Sequence, residues 1–334
     1  MVRVAVDGMG GDHAPRAVVE GAVLAAKEYG SDVILIGQKD LLQRELDRIA
    51  SVPSTVRVQH AAEVVDMTEP AAMGVRKKKD SSIMVAVDLV KQKMADAVVS
   101  AGHTGAAVVA TTLSLGLLEG IDRPGIAIAY PTLNGTSVII DIGANIDAKP
   151  EHLLQYAAMG STFANIILHK KEPRVGLLNI GEEESKGPDF MKETHRLIEG
   201  SPLNFIGNIE GRDIFSGDVD VVVCDGFVGN IVLKVTESLS ESTNILLRRE
   251  LKSGLLSMMG GLLIKPTLGR LKRRLDYTEF GGAPLLGVNG ICIICHGASS
   301  AKAIKNAIRV AGEFVKFHVN EKIQTLLANK RVNS

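Results

Sequence analysis

Short apolar runs alternate with helical patterns of apolar residues along most of the chain. Residues 2–6 are rich in valine and predict a strand, and the helical pattern that follows ends at Gly30. Two more strands are predicted at 32–37 and 56–60, with a short helix at 41–49 between them. Because strands and helices alternate, the pattern predicts an α/β fold, a largely parallel sheet with helices on both faces.

The same alternation continues through the rest of the chain. Further strands are predicted at residues 96–102, 126–131, 136–143, 174–181, 204–207, 219–225 and 290–295. Long helices are predicted after Lys149 and after Ser299. No Gly/Ser linker divides the sequence, so we expect residues 1–334 to form a single catalytic unit, built as one body or as two continuous lobes.

Many of the strand-like runs end in glycine-rich polar turns. The first such turn is 7–15, and the others are 100–105, 141–145, 179–187, 225–230 and 295–297. In open α/β sheets ligands bind beyond the carboxyl ends of the strands, so we expect these turns to converge on one cleft. An ordinary strand-to-helix connection is the alternative interpretation of the first turn.

Residues 230–280 interrupt the alternation and predict a projecting helical segment. The segment contains an apolar set: Leu255, Leu256, Met258, Met259, Leu262, Leu263 and Ile264. Cations flank this set, namely Lys252, Lys265, Arg270, Lys272, Arg273 and Arg274. Apolar groups with flanking cations suit an anionic membrane surface, and a helical hairpin buried in a dimer interface explains them equally well.

A second basic run, Arg76, Lys77, Lys78 and Lys79, is predicted to lie just before a helix that begins near Ser81. A solvated surface and a docking patch for an acidic partner both explain such a run.

Composition narrows the class of protein. A hydrophobic fraction of 46%, 34 glycines and no Trp in 334 residues fit a compact α/β enzyme. Lys+Arg and Asp+Glu balance at 38 each, which argues against general nucleic-acid binding. The three cysteines do not suggest a disulfide framework, and we expect a cytosolic protein without a secretory signal or a membrane-spanning run.

Common cofactor and nucleophile motifs are weak or absent in the sequence. His13 stands where a dinucleotide-binding glycine loop needs a small residue, and the sequence contains neither a P-loop nor a Gly-x-Ser-x-Gly elbow. Cys292 and Cys295 have no second pair to complete a metal site. The sequence therefore predicts no cofactor and no metal.

Lys186 lies between two glycines, in a segment that also carries three glutamates. Its side chain either lies in a solvent-exposed loop or reaches a bound anion.

Taken together, the turns resemble one known family. The matching segments are Asp7-Gly-Met-Gly-Gly-Asp-His-Ala-Pro15, Arg76–Lys79, Ser100–Ala106, Asp141–Asn145, Leu177–Gly187, Asp225–Asn230 and Tyr277–His296. They span essentially the whole chain and resemble the acyl-ACP:phosphate acyltransferase family (PlsX) of bacterial phospholipid synthesis. Gly8 and His103 depart from the family, which usually has Ala and Asn there.

The resemblance implies a fold like those of isocitrate/isopropylmalate dehydrogenase and phosphotransacetylase. It implies a homodimer that converts acyl-ACP and inorganic phosphate into acyl phosphate and free acyl carrier protein (ACP). It also implies peripheral association with the inner face of the cell membrane, where a membrane glycerol-3-phosphate acyltransferase receives the acyl phosphate. Arg76–Lys79 would then meet the acidic carrier, and the 255–264 apolar set would touch lipid.

The resulting hypothesis gives each turn a role. The candidate catalytic residues are Lys186, Asn230, Asp7, Asp12 and His13. The candidate phosphate- or acyl-binding residues are Gly10, Gly11, Gly102, His103, Thr104, Gly105, Asn145, Gly181 and Glu182. A phosphate oxygen would attack the thioester carbonyl, and backbone amides or Asn230 would hold the developing oxyanion.

Three other functions stay open at this point. An acetyl-CoA:phosphate acetyltransferase uses similar phosphate chemistry but has no evident need for the apolar and basic projection. A membrane-surface scaffold for lipid synthesis would need no catalytic cleft. A decarboxylating dehydrogenase is supported only by analogy of fold.

Overall fold

The computed structural model describes residues 1–275 and 281–331. Its strands are β1 (Arg3–Asp7), β2 (Asp32–Gly37), β3 (Val56–His60), β4 (Ala97–Ser100), β5 (Gly125–Thr132), β6 (Gly135–Ile140), β7 (Val175–Leu178), β8 (Phe205–Ile209), β9 (Val221–Val223), β10 (Ala283–Leu286) and β11 (Cys292–Ile294). Its helices are α1 (Arg16–Tyr29), α2 (Lys39–Asp47), α3 (Ala71–Lys77), α4 (Ser82–Lys91), α5 (Thr104–Leu115), α6 (Pro150–Ile166), α7 (Asp189–Glu199), α8 (Gly226–Leu251), α9 (Leu255–Leu275), α10 (Ala301–Lys316) and α11 (Val319–Arg331).

The strands form one continuous sheet of eleven members in the order β3-β2-β1-β4-β11-β10-β5-β6-β9-β7-β8. Of the ten pairings among the described strands, seven are parallel. The predicted α/β class with a largely parallel sheet is therefore confirmed.

Three antiparallel pairings in the middle of the sheet reverse its direction. β10 runs antiparallel to both β11 and β5, and β5 runs antiparallel to β6. The carboxyl ends of β1, β4 and β11 therefore lie at one edge, and those of β6, β9 and β7 lie at the opposite edge. The polar turns therefore follow carboxyl ends at two edges of the sheet, so strand direction alone does not bring them to the one cleft that the sequence predicts.

Two apolar clusters form the core, one on each face of the sheet. Along β1, Val4 and Val6 belong to one cluster, and Ala5 belongs to the other, as the two-residue period of a strand requires. Helices α1, α6 and α10 supply buried residues to the first cluster, and α4 and α5 supply the second. Both faces of the sheet are thus covered, which is typical of a parallel sheet.

Local signals account for several element boundaries. Gly30 has a left-handed φ of 66°, and its N–H donates to the Ala26 carbonyl, which ends α1 as predicted. Pro150 is the first residue of α6, where its missing N–H costs no hydrogen bond.

The structure adds two elements that were not predicted. The basic run lies just before a helix as predicted, since α4 begins at Ser82, but Arg76 and Lys77 also form the last turn of an additional helix, α3. β10 was not predicted, because Pro284 interrupts its short apolar run and proline argues against a strand inside a sheet.

Helices α8 and α9 form a long helical segment in the part of the chain where one was predicted. Within α8, residues 241–250 are all exposed. Among the described residues, no helix combines the length and apolar character that crossing a membrane requires.

Candidate active site

The first group of polar turns, the Asp7 group, follows β1, β4 and β11. It comprises Asp7, Gly10, Gly11, Asp12, Ser100, Gly102, His103 and Gly297. The Ser100 hydroxyl donates to Oδ2 of Asp7 at 2.7 Å, and the Gly102 N–H donates to the Ser100 hydroxyl at 3.1 Å. The Asp12 N–H donates to the Gly297 carbonyl at 2.8 Å. Three predicted turns are thereby joined into one unit.

Gly10 is needed for this close approach of the turns. A Cβ at Gly10 would lie 2.6 Å from Oδ2 of Asp7 and 2.6 Å from the Gly102 nitrogen. The second neighbour is backbone and cannot rotate away, so any side chain would push the two turns apart.

Asp7 is a buried carboxyl group. Burial raises its pKa above the ordinary value, and hydrogen bonds from Ser82, Ser100 and the Met9 N–H oppose that rise. Asp7 also lines a cavity of about 10 Å³, roughly the space of one water molecule. The remaining lining residues are Gly10, Val64, Val65, Ser82, Ile83, Ser100, Gly102, His103 and Ala106.

His103 caps the amino terminus of α5. Its Nδ1 accepts a hydrogen bond from the Ala106 N–H at 3.3 Å. His103 thus has a structural role here, the helix cap that Asn commonly provides in proteins. The amides of Thr104 and Gly105 lie in the first turn of the helix, where a backbone N–H has no partner within the helix.

The remaining predicted residues of the first turn lie at its surface. Asp12 and His13 are both exposed, in contrast to Asp7. The structure thus divides the three ionisable groups of this turn into one buried carboxyl and two accessible groups.

The second group, the Asn145 group, comprises Asp141, Gly143, Asn145, His152, Tyr156, Asp225 and Asn230, and lies at the opposite edge of the sheet. Asp141 is fully buried and accepts four backbone N–H bonds of 2.7–3.0 Å, from Ile126, Gly143, Ala144 and Asn145. Burial raises its pKa, and these four donors oppose the rise. Asp141 therefore fixes the backbone of the turn that carries Asn145.

Two side chains set the orientation of the Asn145 amide. Its Nδ2 lies 3.4 Å from Nδ1 of His152 and 3.3 Å from the Tyr156 hydroxyl. Nδ1 of His152 accepts from the Lys149 N–H at 3.0 Å, so this nitrogen carries no proton. Burial lowers the pKa of His152, which agrees with a neutral ring. Both hydrogens of the amide are directed at these two partners, and its Oδ1 is the atom left for other contacts.

Asn230 lies in the first turns of α8, beside the same loop. A Cβ at Gly143 would be 3.6 Å from Cβ of Asn230. Asp225 caps this helix, with Oδ1 accepting from the Val228 N–H at 2.9 Å. The side chain of Asn230 is exposed, which leaves its amide available for a substrate.

Lys186 lies in the loop between β7 and α7. Its side chain is 48% exposed, and Nζ is 3.9 Å from Oε1 of Glu183. A Cβ at Gly181 would lie 2.9 Å from Cγ of Lys186, so the missing side chain makes room for the lysine stem. Glu182 is paired with Arg212 at 2.8 Å. Lys186 is a weakly paired cation at the same sheet edge as the Asn145 group.

The four cations of the 76–79 run differ in exposure and pairing. Lys78 pairs with Glu69 and donates to the Val64 carbonyl at 2.8 Å, so this ammonium group holds the loop before α3. Arg76, Lys77 and Lys79 are exposed.

The apolar set of α9 faces solvent in the isolated chain. Leu256 is 87% and Leu263 is 82% exposed, and Met258, Met259, Leu262 and Ile264 are also exposed. Lys252, Lys265 and Arg270 are exposed nearby in sequence. The side chain of Leu255 and those of Lys272, Arg273 and Arg274 lie outside the described part of the chain.

Known proteins resemble this chain in sequence and in fold. A family described as "Fatty acid synthesis protein" matches residues 2–322. Phosphate acyltransferase from Geotalea uraniireducens (strain Rf4) is 52% identical over 322 residues, which cover 96% of this chain and 93% of that relative. Phosphate acyltransferase from Desulfitobacterium hafniense (strain DSM 10664 / DCB-2) is 53% identical over 324 residues, 97% of each chain.

A solved phosphotransacetylase from Streptococcus pyogenes superposes with a TM-score of 0.62 at 20% identity, over 94% of each chain. This likeness shows a common fold and confirms the predicted architecture. The match of the family to nearly the whole chain, together with relatives at about half identity, shows that the chain belongs to the fatty acid synthesis protein family.

Proposed function

We propose that the protein transfers a fatty acyl group from the thioester of ACP to inorganic phosphate, releasing acyl phosphate and free carrier. The observation that carries this proposal is the close similarity to phosphate acyltransferases over nearly the whole chain. The family's description as a fatty acid synthesis protein favours a carrier-bound fatty acyl donor over acetyl-CoA.

The twist that open sheets ordinarily have would turn the two groups of turns toward a common cleft. Neighbouring strands of an open sheet are rotated by about 20–25°. Five such steps separate β4 from β9, which amounts to a rotation of about 100–125°. In a flat sheet the carboxyl ends of β4 and β9 would point in opposite directions, 180° apart. With this rotation they would point about 55–80° apart, toward a common side.

Within this cleft, phosphate would bind to neutral donors and one cation. Backbone amides of Gly11 and the first turn of α5 suit an anion, as does the exposed ammonium group of Lys186, whereas the Gly10 N–H donates to the Asp7 carbonyl at 3.4 Å and would have to exchange this partner for phosphate. Asn145 has a different role in the proposal. Its free Oδ1 is an acceptor, which suits a protonated phosphate oxygen or an amide N–H of the acyl donor rather than a bare phosphate oxygen.

The proposed reaction is a direct displacement at the thioester. A phosphate oxygen forms a bond to the carbonyl carbon, the C–S bond breaks, and the phosphate proton ends on the carrier thiol. Asn230, with its exposed amide, would stabilise the oxyanion of the tetrahedral intermediate. Asp12 and His13 are exposed and are proposed to move the proton, whereas buried Asp7 is proposed to position the Gly102 turn through Ser100.

The acidic carrier is proposed to dock on exposed cations of the α3 region. Arg76, Lys77 and Lys79 are free to meet acidic residues, and Lys78 is omitted because Glu69 already neutralises it. Replacing the three exposed cations by Gln should raise KM for acyl-ACP with little effect on KM for phosphate. Lys39, Lys91 and Lys93, replaced together by Gln, provide a charge-matched control.

Helix α9 is proposed to contact an anionic membrane. Its exposed apolar side chains would enter the acyl region while Lys252, Lys265 and Arg270 meet the headgroups. Replacing Leu256, Met259 and Leu263 by Gln should abolish sedimentation with anionic liposomes, whereas Leu133→Gln, at another exposed position, should not. Unchanged liposome binding would instead favour a hairpin buried between subunits.

Helix α8 is proposed to pair with a second copy of the chain. Val228, Ile231, Val235, Leu239 and Leu246 are exposed at helical spacing and form an apolar stripe along it. A homodimer would cover this stripe. Light scattering should therefore report the mass of a single subunit after Val235 and Leu239 are replaced by Lys.

The proposed location is peripheral, at the inner face of the cell membrane, where a glycerol-3-phosphate acyltransferase consumes the acyl phosphate.

The decisive assay measures thiol release from palmitoyl-ACP with and without inorganic phosphate, together with acyl phosphate by mass spectrometry. Phosphate-dependent release with that product supports the proposal. Activity with acetyl-CoA but not with palmitoyl-ACP would favour the short-chain acetyltransferase. Binding of carrier and liposomes without any release would favour a scaffold.

A further inference from the structure

Three side chains near the Lys186 loop form a cluster that the proposed reaction does not use. Glu184, His195 and Glu199 each offer a ligand atom, and these atoms all lie within 4.8 Å of one another. Glu184 lies in the loop after β7, whereas His195 and Glu199 are one helical turn apart on α7. The two glutamates are exposed, and His195 is only 5% exposed.

Asn208 fixes the orientation and the tautomer of the His195 ring. Nδ1 of His195 lies 3.1 Å from Oδ1 of Asn208, and Nδ2 of Asn208 donates to the Glu183 carbonyl at 2.9 Å. Because Oδ1 of Asn208 can only accept, Nδ1 of His195 carries the proton. The lone pair that can bind a ligand is therefore on Nε2. Histidine ligands of metals are commonly held by such a bond to their other nitrogen.

Packing supports the same fixed ring. His195 makes an edge-on contact with Phe205, with 5.0 Å between ring centroids. A buried, oriented imidazole beside two accessible carboxylates differs from an ordinary acidic surface cluster, because one ligand is already held in place and the others are free to close on an ion.

We propose that Glu184, His195 and Glu199 bind a divalent transition-metal ion, with Zn²⁺ as the preferred ion. One imidazole and two carboxylates suit Zn²⁺, which binds such ligands at about 2.0–2.2 Å and thus with ligand atoms roughly 3.3 Å apart. Because the ligand atoms lie within 4.8 Å of one another, each separation needs to shorten by at most about 1.5 Å to reach this spacing. A fourth position stays open to water.

A bound ion would join the Lys186 loop to α7. Glu184 precedes Lys186 by two residues, and the Glu183 carbonyl accepts both from Asn208 and, at 3.0 Å, from the Lys186 N–H. The metal and Asn208 would thus hold the turn from both sides. The inference concerns metal binding itself and does not depend on the proposed reaction.

Calorimetric titration of chelator-treated full-length protein with Zn²⁺ tests the proposal. We expect one ion per chain, with affinity reduced at least about tenfold in Glu184→Gln and in Glu199→Gln. Glu193→Gln, at an exposed position of the same helix outside the cluster, should bind like the wild type. Equal affinity in all four proteins, or no binding by the wild type, would overturn the proposal.

Absorption spectroscopy of bound Co²⁺ distinguishes this site from other Zn²⁺ sites. It requires substitutions only at the exposed glutamates and leaves the buried His195 unchanged. Co²⁺ bound to the wild type should show visible d–d bands of a four-coordinate ion, displaced by Zn²⁺ but not by a similar concentration of Mg²⁺. The bands should be lost in the Glu184→Gln, Glu199→Gln double variant and kept in Glu193→Gln. Bands that persist in the double variant would contradict the assignment.

Discussion

The Ser100 hydroxyl donates a 2.7 Å hydrogen bond to Oδ2 of Asp7, although 93 positions separate the two residues. The bond joins the turns after β1 and β4, and the Ser100 oxygen also accepts from the Gly102 N–H. One hydroxyl therefore donates to a buried carboxyl group and also accepts from the turn of the candidate site that carries Gly102.

Ser100→Ala should lower the free energy of unfolding by about 1–3 kcal/mol, because the buried Asp7 carboxyl group loses one of its hydrogen-bond donors. Denaturant titration measures this change. Ser54→Ala, at an exposed position, should stay within about 0.5 kcal/mol of the wild type. An equally small effect of Ser100→Ala would mean that the bond adds nothing to stability.

Asp7→Asn should change the pH dependence of stability. Because burial raises the pKa of Asp7, the folded protein favours the neutral carboxyl group more than the unfolded chain does. The stability gained from that neutral form is complete below the ordinary pKa of about 3.9 and is lost as pH rises through the higher pKa of the folded state. Asparagine cannot ionise, so the Tm of Asp7→Asn relative to the wild type should increase as pH rises above about 4.

Thermal scans across this pH range test the linkage. Asp218→Asn, at an exposed position, serves as the control for loss of one negative charge. A Tm difference for Asp7→Asn that is constant with pH would contradict the raised pKa.

Gly10→Ala should destabilise the protein and reduce catalysis, since the new Cβ would overlap the Gly102 backbone. We expect a loss of about 1–3 kcal/mol in unfolding free energy, in the range typical of overpacking. Gly312→Ala is the matched control, because a Cβ at this position of α10 meets nothing within 4 Å. That substitution should stabilise the helix by about 0.5–1 kcal/mol. A neutral Gly10→Ala would show that the two turns separate at little cost.

Lys186→Ala should reduce kcat/KM for phosphate by about 10²–10³-fold if its ammonium group contacts the reacting phosphate. Steady-state assays with varied phosphate measure the effect. Lys192→Ala removes a cation from α7 that pairs with Asp189, and it should leave the kinetics unchanged. Normal turnover and normal phosphate dependence in Lys186→Ala would remove this lysine from the mechanism.

Short-range patterns predicted much of the fold and the positions of the polar turns. Gly30 and Pro150 mark helix ends because their effects act on the local backbone. The turn residues Asp7, Asp141 and Asn230 were recognisable because each follows or adjoins an apolar run. His195 gave no signal of a site, because its partners Asn208 and Glu184 lie 13 and 11 positions away in opposite directions along the chain.

By itself, the sequence determined the α/β class, the family and the set of residues in the turns, because these depend on periodicity, local conformation and ordered motifs. Only the tertiary structure decided that the central strands reverse direction, that Asp7 is buried while Asp12 is exposed, and that Lys78 is paired with Glu69. Strand direction depends on which distant strands pair, and burial and ion pairing depend on which elements pack together. Such long-range contacts have no fixed spacing along the chain, so no local pattern records them.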